Sequence, residues 1–341
     1  MTQRTSRFAG AVLAGIAALA LASCAGQAPE TANPSATDGE TAAQPVSIGL
    51  FVANAFGDHS YYDAAFATIA DLENDLGATV TTYEGKLETQ NYAPLLQDAA
   101  DVNQLVFVVG NQAIDATVAA AADNADTTFV FVNGVVSDAS VVSVAYRYAE
   151  SCYVGGTIAA LVSEGTDATA VGFMGGFEAP SMADCEAGLT QGVAALAPEL
   201  SVVSQFVGSF SDPGKGLETA TALAQQGAYV VYSSAGLSGQ GAVKAAESGV
   251  EIAPILAASA DVPDVSPAVV NDDTAVLILD AAQGFVDGTL KKGEVRTYGW
   301  AEGAFIVDFN PAFLDAAQQA SVQAVIADIT AGKITPTGAA R

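Results

Sequence analysis

The residues best equipped for chemistry fall in four short stretches of small, polar and aromatic residues. The first, Gly57-Asp58-His59-Ser60-Tyr61-Tyr62-Asp63-Ala64-Ala65-Phe66, gathers carboxylates, a hydroxyl and several rings in one short segment. Tyr62 and Phe66 stand four apart, so a helix would put them on one face. Such a stretch can stack a planar molecule and hydrogen-bond its edge. It also reads as a capped helix start, with Ser60 or Asp58 as N-cap and Phe66 in the core. A second stretch, Gly110-Asn111-Gln112, is polar and turn-forming. In the third, Gly208-Ser209-Phe210-Ser211-Asp212-Pro213-Gly214-Lys215-Gly216, the lone aromatic Phe210 lies between serines, where packing gives it little to do. A planar ligand stacked on it would gain about 1 kcal/mol. The fourth, Ser234-Ala235-Gly236-Leu237-Ser238-Gly239, is a small-residue loop whose backbone N–H groups can approach a ligand closely.

Sets of residues that break bonds are scarce by comparison. His59 is the sole histidine, and no Gly-x-Ser-x-Gly elbow, phosphate-cradling loop with its lysine, or dinucleotide fingerprint occurs. Asp272-Asp273 and the pair Asp261 and Asp264 are the nearest acidic groupings, and they read as solvated loops. Two cysteines besides Cys24, with one histidine, do not make a structural zinc site, so no metal and no cofactor is expected. Binding fits these residues better than hydrolysis, which would need a base or metal cluster.

The elements that must position these stretches alternate regularly. From Pro45 onward, short apolar β-branched runs such as Val46–Val52 and Leu105–Val109 alternate with longer alanine-rich helical patterns. The first helix is expected over Tyr62–Leu76, and a second series begins with a helix at Ser151–Ser163. A final strand pair is expected around Tyr298 and Phe305. Repeated strand–helix–strand units predict the α/β class, with parallel sheets covered by helices on both faces. In such sheets ligands sit outside the C-terminal strand ends, which is where all four stretches fall.

Composition narrows the setting. Arg4 and Arg7 precede an apolar run from Phe8 to Ala22, the length of a secretory h-region and short for a membrane span. Residues 25–44, rich in Ala, Pro, Thr and Gly, predict a flexible tether. The remaining chain is long for one core and natural for two lobes. A formal charge of −27 argues against nucleic acid and against anionic lipid surfaces. Cys152 and Cys185 either form a disulfide or stand as two buried thiols.

Two resemblances follow from these residues. Leu21-Ala22-Ser23-Cys24 resembles the lipobox of bacterial lipoproteins, which implies removal of residues 1–23 and lipidation of Cys24. From about Val46 to Ile329 the chain resembles the basic membrane protein family, the PnrA-like nucleoside-binding lipoproteins of ABC importers. The matching pieces include Asp58-His59-Ser60-Tyr61, Tyr92, Asn133-Gly134-Val135-Val136 and Val141-Val142-Ser143-Val144. Glu150-Ser151-Cys152-Tyr153-Val154-Gly155-Gly156, Val171-Gly172-Phe173-Met174-Gly175-Gly176 and Trp300-Ala301-Glu302-Gly303 also match, and the 208–216 stretch is the most specific.

The resemblance implies a type I periplasmic-binding-protein fold: two doubly wound, Rossmann-like lobes joined by a hinge. The expected lobes are 45–147 with 258–290, and 148–257 with 291–331. It implies a base clamped between Phe66, or a neighbouring tyrosine (Tyr61, Tyr62), and Phe210, with Asp58 accepting a hydrogen bond. Ser60, Gly110, Asn111, Asp212 and Gly236 complete the implied ligand set. The implied partners are a nucleoside-like small molecule, ABC permease and ATPase subunits, and the membrane through the lipid anchor; the chain is expected as a monomer on the extracytoplasmic face. A ligand sensor and an exported nucleoside hydrolase are the other readings. Three departures bear on the ligand: Tyr62 stands where the family has Asn, Ala257-Ala258-Ser259 where an acid is expected, and Asn271-Asp272-Asp273 where a lysine is usual.

Overall fold

The computed structural model describes residues 45–57, 61–257 and 259–340. Cys24, the signal and the tether lie outside the described residues, as do Asp58, His59 and Ser60. The first half of the chain runs β1 (Ser47–Val52), α1 (Tyr61–Ala67), α2 (Ile69–Leu76), β2 (Thr79–Glu84), α3 (Thr89–Val102), β3 (Leu105–Val109), α4 (Ile114–Asp123), β4 (Thr128–Val132) and β5 (Val141–Tyr146). The second series is α5 (Tyr148–Ser163), β6 (Ala170–Gly175), α6 (Pro180–Leu196), β7 (Ser201–Phe206), α7 (Pro213–Ala224), β8 (Ala228–Ser234), α8 (Gln240–Glu247), β9 (Ala253–Leu256) and β10 (Ala268–Asp272). The chain closes with α9 (Thr274–Val286), β11 (Val295–Tyr298), β12 (Phe305–Phe309) and α10 (Ala316–Thr330).

Two six-stranded sheets result. The first has the order β11-β5-β4-β3-β1-β2 and the second β12-β10-β9-β8-β6-β7. Every described pairing is parallel except β10 with β12. The inner strands β3 and β5 are buried along their whole length, as strands covered on both faces must be. In each sheet the strand order reverses between two neighbours, β1 and β3 in the first and β6 and β8 in the second. Those reversals open a crevice at the C-terminal strand ends.

The lobe boundaries differ from those expected at two places. Residues 268–272 belong to the second sheet, because β10 pairs with β9 and β12. Residues 295–298 belong to the first, because β11 pairs with β5. The final strands therefore lie in different sheets rather than forming a pair, and the chain crosses between lobes at Arg147, at Asp273 and over 299–304. Runs of only four or five residues carry no information about which sheet edge they extend, so sequence pattern could not place them. The first helix is also divided. At the buried Thr68 the backbone N–H and the hydroxyl both donate to the carbonyl of Ala65, separating α1 from α2.

Helix α5 follows the first crossing and packs closely on α6. Glycine makes this possible: a Cβ on Gly156 would run into the backbone of Leu189, one on Gly188 into Ala149, and one on Gly192 into Tyr153. Within the same contact Cys152 is disulfide-bonded to Cys185, with Cα atoms 5.1 Å apart.

Candidate functional site

The loop after β1 and the start of α1 form the first wall of the crevice. Phe56 and Phe66 meet with ring centroids 4.8 Å apart, and Phe66 remains 48% exposed. Gly57, at φ +91°, turns the chain so that its N–H donates to Asp63 Oδ1 at 2.6 Å. Tyr61 donates its hydroxyl to the carbonyl of Val132 at 3.1 Å, fixing α1 against the end of β4. Gly110 has φ +121° and sits against Ala53, where a Cβ would collide, and the Tyr62 hydroxyl closes on the same spot. Asn111 opens an exposed turn just beyond it. The structure thus brings Tyr61, Tyr62, Phe66, Gly110 and Asn111 to one side of one sheet end.

Phe210 leads the second wall. It is 45% exposed and lies over Gly176, where any Cβ would strike its ring. Gly236, at φ +55°, passes close beneath the Phe210 backbone. Ser238 ties the loops together: its hydroxyl donates to the carbonyl of Ser209 and accepts from the N–H of Asp212, both at 2.9 Å. The Asp212 carboxylate has a task of its own, accepting from Gly214 N and Lys215 N at 3.1 Å as the N-cap of α7. Phe177, in the loop after β6, meets Phe210 edge-to-face at 5.4 Å and is 49% exposed. Sequence reasoning missed Phe56 and Phe177, although an aromatic in a loop after a strand was the very signal that singled out Phe210.

Between these walls, the chain crossings carry a polar and aromatic cluster. Asp272, read from sequence as solvated, is hemmed in instead. It ends β10 opposite Phe305 of β12, and its Oδ2 accepts from the Tyr148 hydroxyl at 2.8 Å. That hydroxyl also lies 3.2 Å from the side-chain amide of Asn133, which follows β4 in the first lobe at φ +62°. Tyr146 donates to the Thr274 hydroxyl at 3.3 Å. Loss of hydration pushes the Asp272 carboxyl up to about 7, and the hydrogen bond from Tyr148 opposes that shift only in part. Burial likewise drives the hydroxyls of Tyr61, Tyr146, Tyr148 and Tyr232 well above the usual phenol range. Farther along the crossings, Arg147 pairs with Glu150 and with Glu302, both at 2.5 Å. It donates to the carbonyl of Thr297 at 2.8 Å, and Trp300 donates to Glu150 through its backbone N–H and its indole.

Exposed rings at the strand ends of two lobes, with hydrogen-bonding groups at the crossings between them, make an arrangement for holding a molecule. Comparison with known proteins decides its kind. Residues 45–334 match the family described as ABC transporter substrate-binding protein PnrA-like. The chain belongs to this family. A relative from Lactococcus lactis, described as the ABC transporter nucleoside-binding protein BmpA, is 32% identical over 232 residues, 66% of this chain and 65% of that protein. Basic membrane protein D of Borreliella burgdorferi is 27% identical over 219 residues, 62% of each chain. The aligned part therefore spans a little under two thirds of these relatives. An ABC transporter solute-binding protein from Aeropyrum pernix superposes with a TM-score of 0.71 at 20% identity, covering 85% of this chain and 93% of that one. The PnrA-like chain accordingly has the type I periplasmic-binding fold.

Two of the departures from the PnrA-like pattern now have positions. Asn271, in the segment where a lysine is usual, pairs its side-chain amide with the backbone N–H and carbonyl of Ser259 at 3.0 and 2.8 Å. Ala257, just after β9, donates its N–H to the carbonyl of Ser233 and offers no carboxylate. Among the described residues no three His, Cys, Asp or Glu side chains cluster as a metal site, and no helix is long and apolar enough to cross a membrane.

Proposed function

We propose that this PnrA-like chain is a lipid-anchored extracytoplasmic receptor. It captures a nucleoside-like solute between its lobes and presents the closed form to the permease of an ABC importer, leaving the solute chemically unchanged. The carrying observation is the pair of exposed rings at strand ends of opposite lobes, Phe66 on α1 after β1 and Phe210 in the loop after β7. Apolar rings left in water at such strand ends gain by stacking on a planar base. The nucleoside assignment draws on the description of the Lactococcus relative, and the anchor on Cys24 and the apolar run before it. Three chain crossings join the two sheets, a connection that suits capture by lobe closure.

A thermal-shift screen of the purified chain against purine nucleosides, free bases and sugars tests the reading. Stabilisation by a nucleoside, rising with its concentration as mass action requires, is the expected result. Chromatography of the incubated solute is expected to return it intact. Free base accumulating with time would make the chain a hydrolase instead.

A further inference from the structure

Among the described residues no Lys, Arg or His is ion-paired with the Asp272 carboxylate. Aromatic residues gather around it from several elements, with Asn133 beside the Tyr148 hydroxyl that it accepts from. Phe305 is its partner in the β10–β12 ladder. Tyr146 of β5 lies 5.6 Å, ring centre to ring centre, from Phe305 and 5.4 Å from Tyr148 of α5. Tyr61 of α1, itself 5.4 Å from the ring of Tyr62, and Tyr232 of β8 both feel its charge. Asp273, next on the chain, turns away to cap α9 through Ala275 N. Yet Asp272 itself remains partly exposed. A partly exposed carboxylate beside tyrosine and phenylalanine rings, with no counter-ion among the described residues, has the composition of an ammonium-binding site: the carboxylate accepts the N–H donors and neighbouring rings attract the cation.

We propose that Asp272, with Tyr61, Tyr146, Tyr148 and Phe305, forms a subsite for a protonated amine of the captured solute. This rests on the receptor reading above and narrows it to solutes that carry an ammonium group away from the stacked ring. A neutral hydroxyl in the same place would leave the carboxylate charge uncompensated. The shift of the Asp272 carboxyl to about 7 fits this account, since a cation is the partner whose absence costs it most.

Calorimetric titration of the full-length chain at pH 8 with adenosine and with its 2′-, 3′- and 5′-amino-deoxy analogues tests the proposal. At least one amino analogue is expected to bind about tenfold or more tighter than adenosine, the gain of a hydrogen bond to a charged group. That preference is expected to shrink at pH 6, where Asp272 takes up a proton while Tyr61, Tyr146, Tyr148 and Tyr232 stay neutral throughout. It is also expected to collapse in Asp272→Asn. The pH comparison uses the wild-type chain, so it stands even if the variant folds poorly. Adenosine bound as tightly as every amino analogue at both pH values would overturn the ammonium subsite and leave the receptor reading intact. Failure of all four compounds to bind would overturn the nucleoside reading and this proposal with it.

Discussion

At the scale of single residues, Asp272 and Phe177 carry the sharpest expectations. Folding raises the Asp272 carboxyl from near 4 to about 7 by stripping its water. A carboxyl raised on folding contributes stability that is complete below its unfolded value and drains away as pH rises through 7. Asparagine carries no charge there, so the melting temperature of Asp272→Asn, relative to wild type, should climb between pH 5 and pH 8. A difference independent of pH would mean that the carboxyl is not desolvated. Phe177 supports Phe210 from the side, and an edge-to-face pair is worth about 0.5–1.5 kcal/mol. Phe177→Ala should therefore weaken solute binding by roughly twofold to tenfold, measured by calorimetry. Phe210 was legible in the sequence because a ring between serines in a strand-end loop has little packing reason to be there, whereas Phe66 read equally well as a helix core residue and was singled out by the family resemblance. Asp272 was not legible: its neighbours Tyr148 and Phe305 are far from it in sequence and are brought to it only by folding.

Elements explain what those residues stand on. The contact of α5 with α6 depends on glycines at 156, 188 and 192, each backed by main chain that cannot move aside. Gly188→Ala should cost about 1–3 kcal/mol, the usual penalty of overpacking, read as a lower midpoint in chemical denaturation. An unchanged midpoint would show that the helices slide apart freely. The Cys152–Cys185 bond closes a loop across the same contact with a sequence separation of 33. Reduction should cost about 2–4 kcal/mol, visible as a drop in melting temperature with added reductant. The strand–helix alternation that defines both lobes was plain from periodicity, since β3 reads Leu-Val-Phe-Val-Val and α5 is alanine- and glycine-rich. Sheet membership of β10 and β11 was not, because it is decided by long-range pairing with β9, β12 and β5 rather than by any local pattern.

The whole molecule is two strand-end surfaces joined at a cross-linked waist. Arg147 ties the first crossing to the third through Glu302 and to the preceding strand β11 through Thr297, while Tyr146 and Tyr148 tie it to the second through Thr274 and Asp272. Bending can thus concentrate at the crossings while each lobe moves as a body. The central claim is that a solute is held by rings from both lobes at once. Calorimetric titration of purine nucleosides into wild type, Phe66→Ala, Phe210→Ala and the double variant tests it most directly. The account expects saturable one-to-one binding to wild type and about tenfold weakening in each single variant, with a combined loss larger than either alone. Unchanged affinity in Phe210→Ala, or binding that depends on the ring of one lobe and ignores the other, would contradict it.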